Sequence, residues 1–236
     1  VISFIILVMS PVVFANGEIY HIYNRGIEKR PTFTDKRELD RAILALDYYR
    51  FFKPQLRLSK ALVLIKEEKA KFFSNLREKG EKQAEITTYC LMPNHFHFLL
   101  KQTLTDGITK FISNFTNSFT KYFNTKHEGR VGPLFQGNFK AIHIEDEKQF
   151  LQVHRYIHIN PAVSLIVKEK ELLNYQWSSL PEYLGMNTNN ICSKELVISN
   201  FGSLEDYKKF IYNRIDFAKK LEQIKKGKFH KYNTVA

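Results

Sequence analysis

The sequence predicts an α+β fold in which helices flank an antiparallel sheet of the split β-α-β type. The first observation is the order of its predicted elements, β-α-β-β-α-β-α, which suits a sheet with helices packed against it. The second is a tight turn between the two middle strands, which makes them antiparallel neighbours. A composition of 44% hydrophobic and 25% charged residues adds that the chain is globular.

The first strand and first helix come from the N-terminal quarter of the chain. Residues 18–24 have a β-rich composition and end at an Arg-Gly turn, which predicts a strand. Asp35 is a suitable N-cap for a helix over 36–52, where large apolar side chains recur at helical spacing. Residues 53–82 are highly charged, and we expect them to be partly helical and to lie outside the core sheet.

The clearest pair of strands lies in the middle of the sequence. Residues 85–92 and 95–102 are both strand-like, and only Pro93 and Asn94 separate them, which predicts a hairpin. A helix is then expected from residue 105 or 106 to about residue 125.

The rest of the chain adds one predicted strand and two predicted helices. Alternating apolar residues predict a strand over 139–145. Asp146 is the expected cap of a helix that stops near Asn160, because Pro161 disfavours helical geometry at the residue before it. A basic helix is expected over 204–226, after a polar break.

We divide the chain into a leader over 1–15, a core domain over 16–185 and a basic helical extension over 186–236. The leader is apolar, but it is shorter than the roughly 20 residues of a spanning helix and lacks the basic start of a secretory signal. Met9 is a candidate start, with residues 1–8 as upstream read-through; a signal peptide is the alternative. We therefore predict a cytoplasmic protein that does not associate with a membrane.

The charge balance favours a polyanionic partner. The 36 lysines and arginines exceed the 24 acidic residues, giving a net charge of +12. Such an excess attracts nucleic acid, because each neutralised phosphate releases counterions. A basic protein without a nucleic-acid partner is the alternative. The two cysteines offer no disulfide framework and suit a reducing compartment.

Two histidines on the hairpin are candidate metal ligands. His95 and His97 are two positions apart on a predicted strand, so both imidazoles lie on one face while Phe96 points to the other. Neutral imidazole is a common metal ligand. Buried or exposed histidines without a metal remain the alternative for an HxH pattern.

A tyrosine and an asparagine on the helix that follows form a second candidate pair. Tyr156 and Asn160 are four positions apart, so they share a helix face. A tyrosine hydroxyl, with a pKa of about 10, is a poor nucleophile, but it can attack phosphorus if a cation withdraws charge from the phosphate and a base assists. The Asn160 carbonyl oxygen would add a third ligand, and mixed nitrogen and oxygen ligation suits Mg²⁺ or Mn²⁺. The alternatives are a core tyrosine and an ordinary asparagine near a helix end.

Five ordered motifs carry a resemblance to a known family. They are YHIYNRG (20–26), YCLMPNHFHFLL (89–100), GPLFQGNFK (132–140), RYIHINP (155–161) and WSS (177–179). Together they resemble the HUH-type single-tyrosine transposases, nearest to the REP-associated branch and its insertion-sequence relatives. The resemblance implies the ferredoxin-like HUH endonuclease fold, usually as a homodimer. The chain departs from the family pattern at Asn138, where an arginine is common, and in the length of the segment over 53–82.

The resemblance also implies a chemistry. His95 and His97 match the paired metal ligands, Tyr156 the nucleophile and Asn160 the third ligand. Tyr156 would attack a phosphodiester of single-stranded or hairpin DNA, giving a covalent phosphotyrosine and a free 3′-OH. A catalytically silent nucleic-acid-binding module on the same fold is the alternative. A zinc hydrolase would need a further histidine or carboxylate ligand, for which the sequence offers no convincing candidate.

Further residues are weaker candidates for contacts with DNA. Five basic residues that flank the motifs could hold phosphates, although solvated surface charges are the alternative: Arg25, Lys101, Lys121, Arg130 and Lys140. Three aromatic residues could stack on unpaired bases or pack in the core: Tyr20, Tyr23 and Phe135. His154 and His158 lie two positions from Tyr156 on its helix, hence on another face, and we interpret them as packing or surface residues.

Overall fold

A computed structural model of the chain describes residues 12–221. Most of the predicted leader, the end of the predicted basic helix and the tail after it lie outside these residues. Within 12–221, no helix combines the length and the apolar character needed to cross a membrane.

Four antiparallel strands form the sheet that the sequence predicts. They are β1 (Ile19–Arg25), β2 (Ala84–Met92), β3 (His95–Gln102) and β4 (Lys140–His143), arranged in the order β2-β3-β1-β4. The order of elements along the chain, with helices between the strands, confirms the predicted split β-α-β architecture. The first strand therefore lies inside the sheet, between β3 and β4.

One face of the sheet carries the larger aromatic core. Helices α1 (Lys36–Tyr49) and α4 (Gly107–Lys126) pack there. Phe96 and Phe98 point from β3 toward α4, where each ring centroid lies 5.4 Å from that of Phe115. Asp35 caps α1 as predicted, since its side chain accepts a hydrogen bond from the Glu38 backbone N–H at 3.0 Å.

Between α1 and β2 the charged segment forms two helices, α2 (Leu58–Ala61) and α3 (Lys66–Lys79). This confirms the partly helical character expected for residues 53–82. Neither helix contributes to the sheet.

The opposite face of the sheet is covered by helix α5 (Glu147–Val163), which contacts β2 and β3. Two short helices follow, α6 (Leu180–Tyr183) and α7 (Glu195–Ile198), and then α8 (Leu204–Tyr212) packs on α5. Asp146 caps α5 as predicted, accepting from the Gln149 backbone N–H at 2.7 Å. The C-terminal segment therefore helps to form the second core of the molecule.

The predicted end of α5 near Asn160 is wrong, because the helix continues through Pro161 to Val163. Proline removes one backbone donor, and here it lies in the last turn of the helix, where it is buried. The Asn160 carbonyl still accepts from the Ser164 backbone N–H at 2.8 Å. Asn160 thus remains helical, one turn after Tyr156.

The predicted basic helix over 204–226 is also interrupted. After α8 ends at Tyr212, residues 213–214 form a turn before the chain becomes helical again over 215–221. The buried residues Tyr207 and Ile211 on α8, and Ile215 beyond the turn, all join the second core. Packing against α5 explains why these helices lie where they do.

Candidate active site

A cavity of about 650 Å³ opens where β1, β3 and the start of β4 meet the end of α5. It brings together all four residues to which we assign the chemistry. Its lining consists of His21, Tyr23, Asn24, Arg25, His95, His97, Gln136, Gly137, Asn138, Lys140, Ile142, Tyr156, Asn160, Val163 and Ser164.

Each candidate histidine ligand is oriented by a bond to its Nδ1 atom. His95 Nδ1 lies 2.7 Å from Asn94 Oδ1, and His97 Nδ1 lies 2.9 Å from His21 Nε2. The centroids of the His95 and His97 rings are 5.0 Å apart. With Nδ1 engaged in both rings, Nε2 is the nitrogen through which each would bind a metal.

The surroundings favour the neutral form of both imidazoles. Burial, and secondarily the Arg25 charge, lowers the pKa of His95 to about 4. Burial, followed by the neighbouring His21 and His95, holds the pKa of His97 well below its usual range. A histidine must be neutral to bind a metal, so the lowered pKa values of His95 and His97 favour the form that could bind a metal at neutral pH.

Tyr156 and Asn160 reach the cavity from the same face of α5, as predicted. Tyr156 is 45% exposed and lines the cavity. Its ring centroid lies 5.5 Å from that of His97, with the ring planes nearly perpendicular. Asn160 is one turn further on and is only 5% exposed. The tyrosine and the three candidate ligands therefore meet within a single chain.

The donor set fits a hard divalent cation. Asn160 Nδ2 is buried and lacks a hydrogen-bond partner, whereas Oδ1 accepts from Ser164 Oγ at 3.0 Å. The two ends of an amide are nearly indistinguishable in shape. Exchanging them lets the nitrogen donate to Ser164 and places the oxygen at the unpartnered position, where it can act as a ligand. Within residues 12–221, no three His, Cys, Asp or Glu side chains form a metal-binding group.

Two of the five basic candidates line the cavity. These are Arg25, at the end of β1, and Lys140, at the start of β4, and the described lining includes no carboxylate. The resulting positive charge suits a phosphate.

The structure places the other three basic candidates away from the cavity lining. Lys101 is near the far end of β3, and Lys121 is on α4, across the sheet. Arg130 lies in the loop after α4 and donates to the Gly132 and Pro133 carbonyls.

The three aromatic candidates divide in a similar way. Tyr23 lines the cavity. Tyr20 is buried against Phe14, and Phe135 is buried among the rings that include Phe96. For Tyr20 and Phe135 the packing interpretation is therefore the one that fits.

His154 and His158 are confirmed as packing residues on the far side of α5. Both are fully buried. The hydroxyl of Tyr207, from α8, lies 2.9 Å from His154 Nε2 and 3.1 Å from His158 Nδ1. The remaining nitrogens bond to Thr88 and Ser179, each at 2.7 Å. This buried chain of hydrogen bonds anchors the helix that carries Tyr156 to β2 and α8.

His21 is the residue of the site that sequence analysis missed. It is 6% exposed and contacts both His97 and the ring of Tyr156. Alternation along β1 places it on the same face as Tyr23, which pairs with His97. His21 belongs to the YHIYNRG motif, which the sequence analysis did single out. The proximity of His21 to His97, however, depends on which strand lies beside β1.

A match to one family model supports the resemblance. Residues 52–160 match the family model "Transposase IS200 like". This range is slightly less than half of the chain and includes His95, His97, Tyr156 and Asn160. Among solved structures, "Structure of the REP associates tyrosine transposase bound to a REP hairpin" aligns with 78% of this chain and 90% of that one, at 13% identity and a TM-score of 0.47. No curated protein sequence matches the chain significantly. The match to the family model confirms the predicted resemblance to these transposases over residues 52–160.

Proposed function

We propose that this protein is a transposase that binds and cuts single-stranded DNA through attack of Tyr156 on a phosphodiester, and then rejoins strands. The observation that carries the proposal is that a partly exposed tyrosine lines one cavity together with His95, His97 and Asn160, whose Nδ2 atom is buried without a hydrogen-bond partner. Neutral imidazoles and an amide oxygen are suitable ligands for Mg²⁺ or Mn²⁺.

In the proposed step, the Tyr156 oxygen forms a bond to phosphorus while the bond from phosphorus to the 3′ oxygen breaks. The phenolic proton is lost and the departing 3′ oxygen takes up a proton. The polarity follows from the family resemblance. A phosphodiester is retained in the tyrosine adduct, so a 3′-OH can later attack it and restore DNA without a nucleotide cofactor.

The metal, held by His95, His97 and Asn160, would withdraw charge from the attacked phosphate. Tyr156 is positioned by α5, whose buried anchors lie on the opposite side of the helix. Arg25 and Lys140 would hold the backbone phosphates that flank the cut.

The substrate proposed is single-stranded DNA or a DNA hairpin. Tyr23 lies in the cavity lining, where its ring can stack on an unpaired base. Lys101, Lys121 and Arg130 remain candidates for a wider DNA footprint. The homodimer implied by the resemblance and the cytoplasmic location also remain predictions; sedimentation of the purified chain tests the former.

A cleavage assay tests the proposal. Labelled single-stranded oligonucleotides from the DNA that flanks the gene are incubated with Mg²⁺ or Mn²⁺ and with wild type, Tyr156→Phe or Tyr122→Phe. Tyr122 is a partly buried tyrosine on α4, across the sheet, and provides the matched control. We expect a metal-dependent covalent adduct with wild type and Tyr122→Phe and none with Tyr156→Phe.

Two results would contradict the proposal. If wild type binds the strands but forms no adduct, the silent binding module is favoured. If Tyr156→Phe still forms the adduct, another residue is the nucleophile.

A further inference from the structure

The two candidate histidine ligands differ in what determines which ring nitrogen carries the hydrogen. For His95, the neighbouring groups determine this tautomer. The Asn94 amide nitrogen donates to the Lys29 carbonyl at 2.9 Å, which identifies the other end of that amide as its oxygen. This oxygen only accepts, so His95 Nδ1 must carry the hydrogen that joins them at 2.7 Å. His95 Nε2 is therefore left with its lone pair.

His97 has no such amide beside it, and His21 occupies the equivalent place. The Nε2 atom of His21 lies 2.9 Å from His97 Nδ1, and the angle between the planes of the two rings is 26°. Only one hydrogen can lie between these two nitrogens. If His97 carries it, His97 Nε2 keeps its lone pair; if His21 carries it, His97 Nε2 bears the hydrogen and cannot bind a metal.

We propose that His21 is a positioning residue that accepts the hydrogen bond from His97 Nδ1 and thereby fixes His97 in its metal-binding tautomer. His21 would do for His97 what Asn94 does for His95. This arrangement requires both His21 and His97 to carry their hydrogen on Nδ1. The inference rests on the proposed metal site, and it adds a residue from β1, outside the stretch that matches the family.

The sheet explains why His21 can act in this way. His21 is buried, and it projects from the same face of β1 as Tyr23, the register partner of His97. Side chains at such diagonal positions on neighbouring strands are within reach of each other. Partners that orient a ligand in this manner typically change metal affinity about tenfold to hundredfold when removed.

The first test uses the metal-free protein. Long-range ¹H–¹⁵N correlation spectra distinguish the two tautomers of each imidazole. We expect His97 and His21 both to be protonated at Nδ1 in wild type, as His95 should be. In His21→Phe, we expect His97 to lose its uniform Nδ1–H state. A wild-type His97 protonated at Nε2 would overturn the inference.

The second test measures Mn²⁺ binding without DNA by electron paramagnetic resonance. We expect His21→Phe to weaken Mn²⁺ binding about tenfold to hundredfold, and His21→Gln, whose amide oxygen can accept from His97, to recover most of it. His143→Phe is the matched control, because His143 lies on the exposed strand β4 and pairs with Glu18.

The outcomes distinguish a failure of the proposed metal site from a failure of the proposed role of His21. If wild type binds Mn²⁺, His97→Ala abolishes binding and His21→Phe leaves it unchanged, the metal site stands and the role of His21 is refuted. If wild type does not bind Mn²⁺, the metal site itself fails and the inference fails with it. Circular dichroism of each variant checks that it is folded. If His21→Phe does not fold, the ¹H–¹⁵N correlation spectra of the wild type decide whether His97 is protonated at Nδ1.

Discussion

The buried hydrogen bonds behind α5 lead to a quantitative prediction for Tyr207→Phe. The substitution removes one hydroxyl that bridges His154 and His158, at 2.9 and 3.1 Å, and Tyr207 is fully buried. Each lost bond is worth about 1 kcal/mol net, and an imidazole nitrogen left without a partner in the core costs about 1–3 kcal/mol. We expect the free energy of unfolding to fall by about 2–4 kcal/mol.

Urea denaturation of wild type and variant measures this difference. Tyr212→Phe is the matched control, since Tyr212 lies on the same helix and its hydroxyl is a long 3.4 Å from the Glu169 carbonyl. We expect the control to lose less than about 1 kcal/mol, with the same dependence on urea concentration for all three proteins. A Tyr207→Phe variant as stable as Tyr212→Phe would show that the bridge does not hold α5.

Two further predictions concern stability. Burial lowers the pKa of His154 to about 3 and holds that of His158 well below its usual range, whereas both titrate at about 6.5 when unfolded. Below about pH 6.5 the unfolded chain binds more protons, so each histidine should lower the free energy of unfolding by about 1.4 kcal/mol per pH unit. Urea titrations at about pH 7 and about pH 5 check this, and equal stabilities would contradict it. Gly107→Ala places a Cβ 1.9 Å from the Gln83 carbonyl oxygen, so we expect a loss of about 1–3 kcal/mol or more. Gly137→Ala, which meets no atom within 4 Å, should unfold like wild type in the same assay.

Much of this fold could be predicted because its local signals agree with its tertiary structure. The hairpin of β2 and β3 has strand-forming residues on both sides of a two-residue turn, and Asp35 and Asp146 cap the helices that follow them. The end of α5 could not be predicted in this way. Pro161 is a local signal to stop, but burial against the second core outweighs it.

The placement of the candidate site residues could be predicted where they are close in sequence, and it was missed where they are not. The spacing of His95 and His97 along a strand, and of Tyr156 and Asn160 along a helix, is enough to place each pair on one face. The role of His21 depends on strand pairing across 76 residues, which no local spacing reveals. Likewise, α4 lies across the sheet from the cavity, so Lys121 is further from it than its place among the motifs suggests.

The position of β1 inside the sheet has a consequence for the order of folding. The β2–β3 hairpin closes through two residues and already carries both candidate histidine ligands, whereas β1 must join it across a long intervening chain. Closing a long loop costs more entropy and slows folding. We therefore expect the hairpin to form early and β1 to insert later, bringing His21 to His97. The proposed metal site would then form in stages, and a metal ion that bound to the early hairpin would do so before His21 was in place to orient His97.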